Sequence, residues 1–345
     1  MAAVSKFASV VVRAANPSEG PAVAGLWREL WDIHETWGGY IGSRDPRVYE
    51  QLAERLSNDF RTRSGQPVLG RHVHLVAATS EGIIGQVEGW FDRHGVDETT
   101  PYTCEVRSLI VSSRARTRGA GRALLRELGR FALQMSRGSA VVMAAEVLEP
   151  NPAHTFYAKA GYVPVSWAAR VSTASARDVP PTGPYVARRA LPADALSIAF
   201  LDPTLAARRR LQGDVRFDRP RAVDATFVGA LASHLARPRG SQDPYDIVVV
   251  DQKMRVRANA TLLTMSLDPP FLPTRRALLG RFALDPALPA PLLVAPLIRF
   301  ARRVASARGA CMLELVDLDP PGNPLYEAMR LAGGVPWSRL VERYA

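Results

Sequence analysis

The chain has 345 residues, 47% of them apolar, and a formal net charge of +11. That length suits two domains better than one, and the ordinary hydrophobicity excludes disorder of the whole chain. The basic balance favours an anionic partner such as nucleic acid, a membrane surface or a phosphorylated small molecule. All but three of the 44 basic residues are arginines, the lysines being Lys6, Lys159 and Lys253, so arginine-rich coding is an equal explanation of the charge. Cys104 and Cys311 each sit in an apolar run and read as buried thiols, with no disulfide framework or zinc site. No segment reaches the apolar length that spans a bilayer, so the protein reads as soluble and cytoplasmic.

In chain order, FASVVVRAA reads as a strand, and AVAGLWRELWDIHETW and VYEQLAERLSNDF read as helices from their apolar spacing. RHVHLVAAT and GIIGQVEGWF are strands around a turn near Ser80 to Gly82, followed by the strand YTCEVRSLIV. GRALLRELGRFALQM is a helix, SAVVMAAEV a strand, PAHTFYAKA a short helix and YVPVSW a strand. This order predicts an α/β (mixed α+β) fold, a mixed sheet with crossover helices. ARDVPPTGP, residues 176–184, breaks both periodicities and reads as a linker between domains of 1–175 and 185–345.

The second half echoes the first. Asn151, Pro152, Tyr157 and Gly161 in NPAHTFYAKAGY stand 172 positions before Asn323, Pro324, Met329 and Gly333 in NPLYEAMRLAGG. An offset of a whole domain implies a divergent tandem duplication.

The stretch RARTRGAGRALLREL places Gly119 and Gly121 just before a helix that would form better without them. A helix start carries unpaired N–H groups and the positive end of the dipole, a site for phosphate. Glycines there let a pyrophosphate approach the backbone; a tight turn with close helix packing is the competing reading. The stretch lacks the G-K-[ST] ending of a triphosphate loop and differs from the dinucleotide fingerprint.

Read as R-x-x-G-x-G, Arg116, Gly119 and Gly121 give the first 170 residues a resemblance to the GCN5-related N-acetyltransferase (GNAT) family. Asn151, Phe156, Tyr157 and Gly161 match that family's second characteristic segment. The resemblance implies two tandem GNAT-like domains and acetyl-CoA or another acyl-CoA as donor, with no metal. It places the pyrophosphate on Arg116, Arg118, Gly119, Ala120, Gly121 and Arg122, with Asn151 close by. The pantetheine arm would run along Ser108, Leu109, Ile110 and Val111. Tyr157 takes the position of the acid that protonates the departing thiolate. For the base that accepts the amine proton, Glu105 leads and Glu146 and Glu88 are rivals. His34, Trp37, Tyr40, Glu88 and Trp90 are candidate walls of the acceptor pocket. His72 and His74 share a strand face without an accompanying carboxylate or cysteine cluster, so no metal site is expected there.

In the second half, ALLGRFALDPALPAPLLVAPLIRFARRVA resembles a damaged copy of strand, loop and helix. Leu288, Pro291 and Leu293 stand opposite Arg116, Gly119 and Gly121; Pro289 and Pro291 remove backbone donors, and Met329 replaces Tyr157. The expectation is a copy that keeps the fold, has lost acyl-CoA binding and serves a structural or acceptor-pocket role. RRRLQGDVRFDRPRAVD reads as a solvated loop or helix end, with a binding surface for an acidic acceptor as the alternative, and HLARPRGSQDP as a candidate lid or loop. The expected function is an acyl-CoA-dependent N-acyltransferase that transfers directly to a small-molecule amine. A tRNA-dependent aminoacyl transferase, with tRNA not excluded as partner, and a non-enzymatic acyl-CoA-binding or regulatory protein are the alternatives. No membrane partner and no specific DNA binding are expected, and the chain is a monomer or homodimer.

Overall fold

The computed structural model describes residues 10–93, 101–116, 119–174, 183–214, 217, 223–237, 240, 244–267, 270–272 and 274–345. The linker expected at 176–184 falls almost wholly outside them, as do Arg118 and residues 238, 239 and 241–243 of the stretch read as a lid.

The first half runs β1 (Val11–Arg13), α1 (Gly20–Thr36), α2 (Pro46–Arg63), β2 (Val68–Leu69), β3 (His72–Thr79), β4 (Gly82–Arg93), β5 (Tyr102–Val111), α3 (Ala120–Met135), β6 (Val141–Leu148), α4 (Ala153–Lys159) and β7 (Val163–Ser172). The second half repeats this order, apart from the two-residue β2. It runs β8 (Val186–Arg189), α5 (Ala195–Leu211), α6 (Ala225–Ala236), β9 (Tyr245–Val250), β10 (Val256–Ser266), β11 (Arg275–Leu284), α7 (Ala290–Ala307), β12 (Ala310–Leu318), α8 (Pro324–Leu331) and β13 (Val335–Tyr344). Local chemistry sets the boundaries. Asp45 caps α2 by accepting from the Arg47 N–H with Pro46 in the first turn, and Ser64 and Gly65 close the helix in left-handed conformations.

The halves share one continuous sheet, ordered β1-β3-β4-β5-β6-β13-β7-β12-β11-β10-β9-β8. β13 inserts between β6 and β7, pairing antiparallel with both, while β7 pairs on its other side with β12. Each half therefore donates its last strand to the other half's edge. The parallel pairs β5·β6 and β11·β12 are joined by the crossover helices α3 and α7.

Alternation along the strands separates two faces. Val73, Leu75, Val87, Cys104, Val106 and Met143 pack with Leu124, Leu125 and Leu128 of α3, and Leu279, Leu313 and Leu315 pack with α7. The opposite face carries α1 and α2 over β3 and β4, where Val76 meets Leu52, Leu56 and Phe60. Further along that same face, α5 and α6 cover Val248 and Val250.

The basic start of RRRLQGDVRFDRPRAVD is the helix end that the sequence offered: Arg208 to Arg210 close α5. Arg209 is fully buried on Asp214 at 2.6 Å and Arg208 meets Asp319 at 2.8 Å, so these two present little surface to an acidic acceptor, while Arg210 is exposed. One sequence expectation is corrected. Cys104 is buried, but Cys311 is exposed, because it takes the solvent-facing position at the start of β12.

Candidate functional site

The site begins where two parallel strands part. β5 pairs with β6 only from Tyr102↔Val141 to Val106↔Ala145, yet β5 continues to Val111 and β6 to Leu148. A bulge against β4 between Gln86 and Glu88 turns β5 outward, with Ser108 at φ +50°. The open edge of β5 leads into a cavity of about 520 Å3, within the range of roughly 300–1,000 Å3 usual for small-molecule sites.

One end of the cavity is built from the loop after β5 and the first turn of α3. Arg116, Gly119, Ala120, Gly121 and Arg122 line it, with Leu109, Ile110 and Val111 along the strand. Gly119 caps α3 at φ +79°, a left-handed conformation that a β-carbon would strain. A β-carbon at Gly121 would meet Phe156 at 3.3 Å and Val111 at 3.6 Å, so glycine also keeps this wall thin. The first intrahelical bond runs from Ala123 N–H to Gly119 C=O at 3.0 Å, leaving the earlier amides available for an anion. Glu29 of α1 fixes the loop by accepting from the Ser113 N–H at 2.8 Å, and lies 4.0 Å from Arg116.

The floor comes from α4. Asn151 lines the cavity while its Oδ1 accepts from the Ala153 N–H at 2.9 Å, closing the turn that leads into the helix. Tyr157 also lines it, packed edge-on against Phe156 and Tyr162, and burial pushes its phenol pKa up. The phenol is therefore protonated at neutral pH.

At the opposite end stand Leu30, Trp31, Ile33, His34 and Trp37 of α1 and its following loop, facing Glu146 of β6. Burial lowers the His34 pKa to about 4, so the imidazole is neutral. Glu146 accepts from the Ser338 hydroxyl at 2.6 Å and lies 3.8 Å from Arg276. Both partners belong to the second half.

The second half also holds the α1–α2 loop. Ser43 N–H donates to Pro270 C=O at 2.7 Å, Leu272 N–H to Ile41 C=O at 2.9 Å, and Trp31 packs on Phe271. Tyr40 is directed away from the cavity lining and donates to Glu314 of β12. Fully buried Glu314 also accepts from Arg170 at 2.6 and 3.0 Å and from Arg276 at 2.6 and 2.8 Å, and Arg170 donates to Gly38 C=O at 2.7 Å. Burial raises the Glu314 pKa, but the two guanidinium groups outweigh it and hold the carboxyl below its usual range.

Of the residues expected from sequence, Leu109, Ile110, Val111, Arg116, Gly119, Ala120, Gly121, Arg122, Asn151, Tyr157, Glu146, His34 and Trp37 meet around this one cavity. Glu105 does not: it lies where β5 and β6 are still paired and forms an ion pair with Arg107 at 2.6 Å. Trp90 stacks on His72 at 4.4 Å, also off the cavity lining. Glu88 sits behind the wall, its carboxylate 3.0 Å from His72 Nε2 and 3.9 Å from His74 Nδ1. The histidine pair thus does have a carboxylate companion, which sequence reading overlooked because it arrives from the neighbouring strand.

Trp31 went unnoticed although it shares a helix face with His34 three positions on. Arg276 and Ser338 carried no sequence signal, since only the strand exchange brings them to Glu146.

Residues 70–164 match the acetyltransferase (GNAT) domain family. No curated protein sequence matches the chain. Its fold is similar to that of a GCN5-related N-acetyltransferase from Sphaerobacter thermophilus, with a TM-score of 0.56 over 97% of this chain and 95% of that one at 16% identity. It is also similar to the GCN5-related glucosamine N-acetyltransferase region of a fungal multi-domain GH3 β-N-acetylglucosaminidase, with a TM-score of 0.54 at 13% identity, over 97% of this chain and 38% of that one. The chain bears a distant but consistent resemblance to the GNAT superfamily, whose fold is generally associated with acyl-CoA-dependent acyl transfer. Among the described residues, no helix is long and apolar enough to cross a membrane.

Proposed function

We propose that the chain is an acyl-CoA-dependent N-acyltransferase, with acetyl-CoA as donor and a small-molecule amine as acceptor. The observation that carries this reading is the single cavity joining a glycine-flanked helix start to an aromatic pocket with one carboxylate, across the parting of β5 and β6. The residues fit the donor's chemistry: amides of the first α3 turn with Arg116 and Arg122 suit a pyrophosphate, and the open β5 edge offers backbone partners to an extended amide chain.

At the other end, Trp31, His34 and Trp37 give an aromatic surround, and Glu146 gives the negative charge that draws an ammonium. The neutral amine attacks the thioester carbonyl, its surplus nitrogen proton passes to Glu146 directly or through water, the carbon–sulfur bond breaks, and the Tyr157 phenol donates its proton to the departing thiolate and regains one by exchange with solvent. The second half supports the acceptor end: Arg276 and Ser338 set Glu146, and residues 270–272 hold the α1–α2 loop. Its own helix start, Pro289-Ala290-Pro291, lacks the donors that an anion requires.

Screening purified protein with acetyl-CoA and a panel of primary amines, with thiol release as readout, tests this reading. Turnover with amines carrying an apolar body supports it; turnover with none, beside transfer from charged tRNA, overturns it.

A further inference from the structure

Beneath α2, where the Phe60 ring packs 5.0 Å from His74, three side chains that the acyl-transfer scheme leaves unused come together. His72 and His74 belong to β3 and Glu88 to β4, and strand register sets His74 directly opposite Glu88. One ring nitrogen of each histidine and a carboxylate oxygen of Glu88 lie within 4.8 Å of one another. Glu88 Oε1 is 3.0 Å from His72 Nε2 and 3.9 Å from His74 Nδ1.

Both of those nitrogens are buried and make no hydrogen bond among the described residues. For His72 the distance is short enough for one, so the axis of Nε2 passes beside Oε1 rather than through it. Two buried nitrogens and a carboxylate thus border a common space without satisfying one another. Buried polar atoms left in that state call for a ligand.

The proton of His74 already sits where a metal ligand needs it. Gln86 Nε2 donates to Ser108 C=O at 3.2 Å, so its Oε1 faces His74 Nε2 at 2.8 Å. His74 therefore carries its proton on Nε2 and turns the Nδ1 lone pair toward Glu88. A ligating histidine characteristically donates its other N–H to such an oxygen, which fixes tautomer and ring.

His72 has the opposite arrangement. Arg63 donates to its Nδ1 at 2.6 Å, which leaves the His72 proton on Nε2, the ligand side. An incoming ion must shift that proton to Nδ1 and turn Arg63 Nη2 away. Arg63 keeps Asp59 at 2.7 Å and the Pro67 and His72 carbonyls at 3.0 and 3.2 Å, so it gives up one contact of four. A hydrogen bond from a charged donor corresponds to about ten- to a hundred-fold in affinity, which sets the size of this opposition.

We infer that His72, His74 and Glu88 form a site for one divalent transition-metal ion, with Arg63 as the group that weakens it. Two imidazoles and one carboxylate suit Zn2+ or Co2+, whereas Mg2+ and Ca2+ take oxygen ligands. Ligand atoms on a tetrahedral zinc ion stand about 3.4 Å apart, between the two distances that Glu88 makes here. The charged neighbours are Arg63 with Asp59, and Arg107, opposite Glu88 in register, with Glu105 at 2.6 Å. Counting Glu88, three carboxylates face two guanidinium groups, a balance that favours a cation. His72, 15% exposed beside its stacked partner Trp90, gives access from solvent. The ion would tie β3 to β4 at the bulge between Gln86 and Glu88, a structural role that stands apart from the acyl-transfer reading.

Titration of untagged, chelator-stripped protein with Co2+ alone tests the site. A visible absorption band should saturate at one equivalent and yield to Zn2+, and Zn2+ should raise Tm while Mg2+ does not. Glu88→Gln, which keeps the side-chain shape, and His74→Asn should each weaken Zn2+ binding by more than about a hundred-fold in calorimetry. Arg63→Met should tighten it by about ten- to a hundred-fold. No saturable Co2+ band in the unmutated protein, a band undiminished in both ligand variants, or weaker binding in folded Arg63→Met overturns the inference.

Discussion

Replacing Glu314 by alanine removes the one anion that holds two guanidinium groups and Tyr40 at the junction of the halves. Glu314 is wholly inaccessible and accepts four guanidinium contacts of 2.6–3.0 Å. Breaking a buried ion pair by deleting one partner costs about 3–5 kcal/mol, because a charge remains without compensation. Here two cations lose their partner, but Arg276 keeps Glu146 at 3.8 Å and Arg170 keeps the Gly38 carbonyl. Those residual contacts place the expected loss near the middle of the range, at about 4 kcal/mol. Urea unfolding followed by circular dichroism and tryptophan fluorescence measures it. Because the sheet is continuous, both probes should report one shared transition. The same variant frees Tyr40 and the α1–α2 loop, so KM for the amine should rise while acetyl-CoA affinity stays. A loss below about 1 kcal/mol, the level of an exposed pair, would refute the reasoning.

Tyr157→Phe should lower kcat about ten-fold, less than a typical acid because a thiolate leaves readily, with acetyl-CoA binding unchanged by calorimetry. His34 has a folded pKa of about 4 against an unfolded value near 6.5. Between those values the unfolded chain binds more protons, so stability is full above pH 6.5 and falls as pH drops toward 4. His34→Phe should flatten that slope in urea titrations at stepped pH. Thiol titration with a disulfide reagent should find one fast thiol per native chain, Cys311, and a second only on unfolding, since burial raises the Cys104 pKa to about 12.

Much of the first half was legible because local pattern and local structure agree. The period of GRALLRELGRFALQM, the proline and asparagine at NPAHTF and the alternation of RHVHLVAAT each mark an element that the structure contains. Arg116, Gly119, Gly121, Asn151 and Tyr157 were readable as one site because loop, helix start and short helix follow one another closely in the chain. What escaped notice depends on long-range pairing. Nothing local says that Val335–Tyr344 leaves its own half to lie between β6 and β7, and so Ser338 and Arg276 could not be placed at Glu146. Glu105 illustrates the converse. Its position in a central strand suggested the reacting end, but the strands part only beyond Val106, so it stays in the closed part of the sheet.

Counting acetyl-CoA molecules per chain by native mass spectrometry tests the central claim most directly. One saturable ligand is expected, lost in a Gly119→Ala, Gly121→Val double variant that strains the helix cap and drives a side chain toward Phe156. No saturable ligand, or two that survive the double variant, would contradict the account.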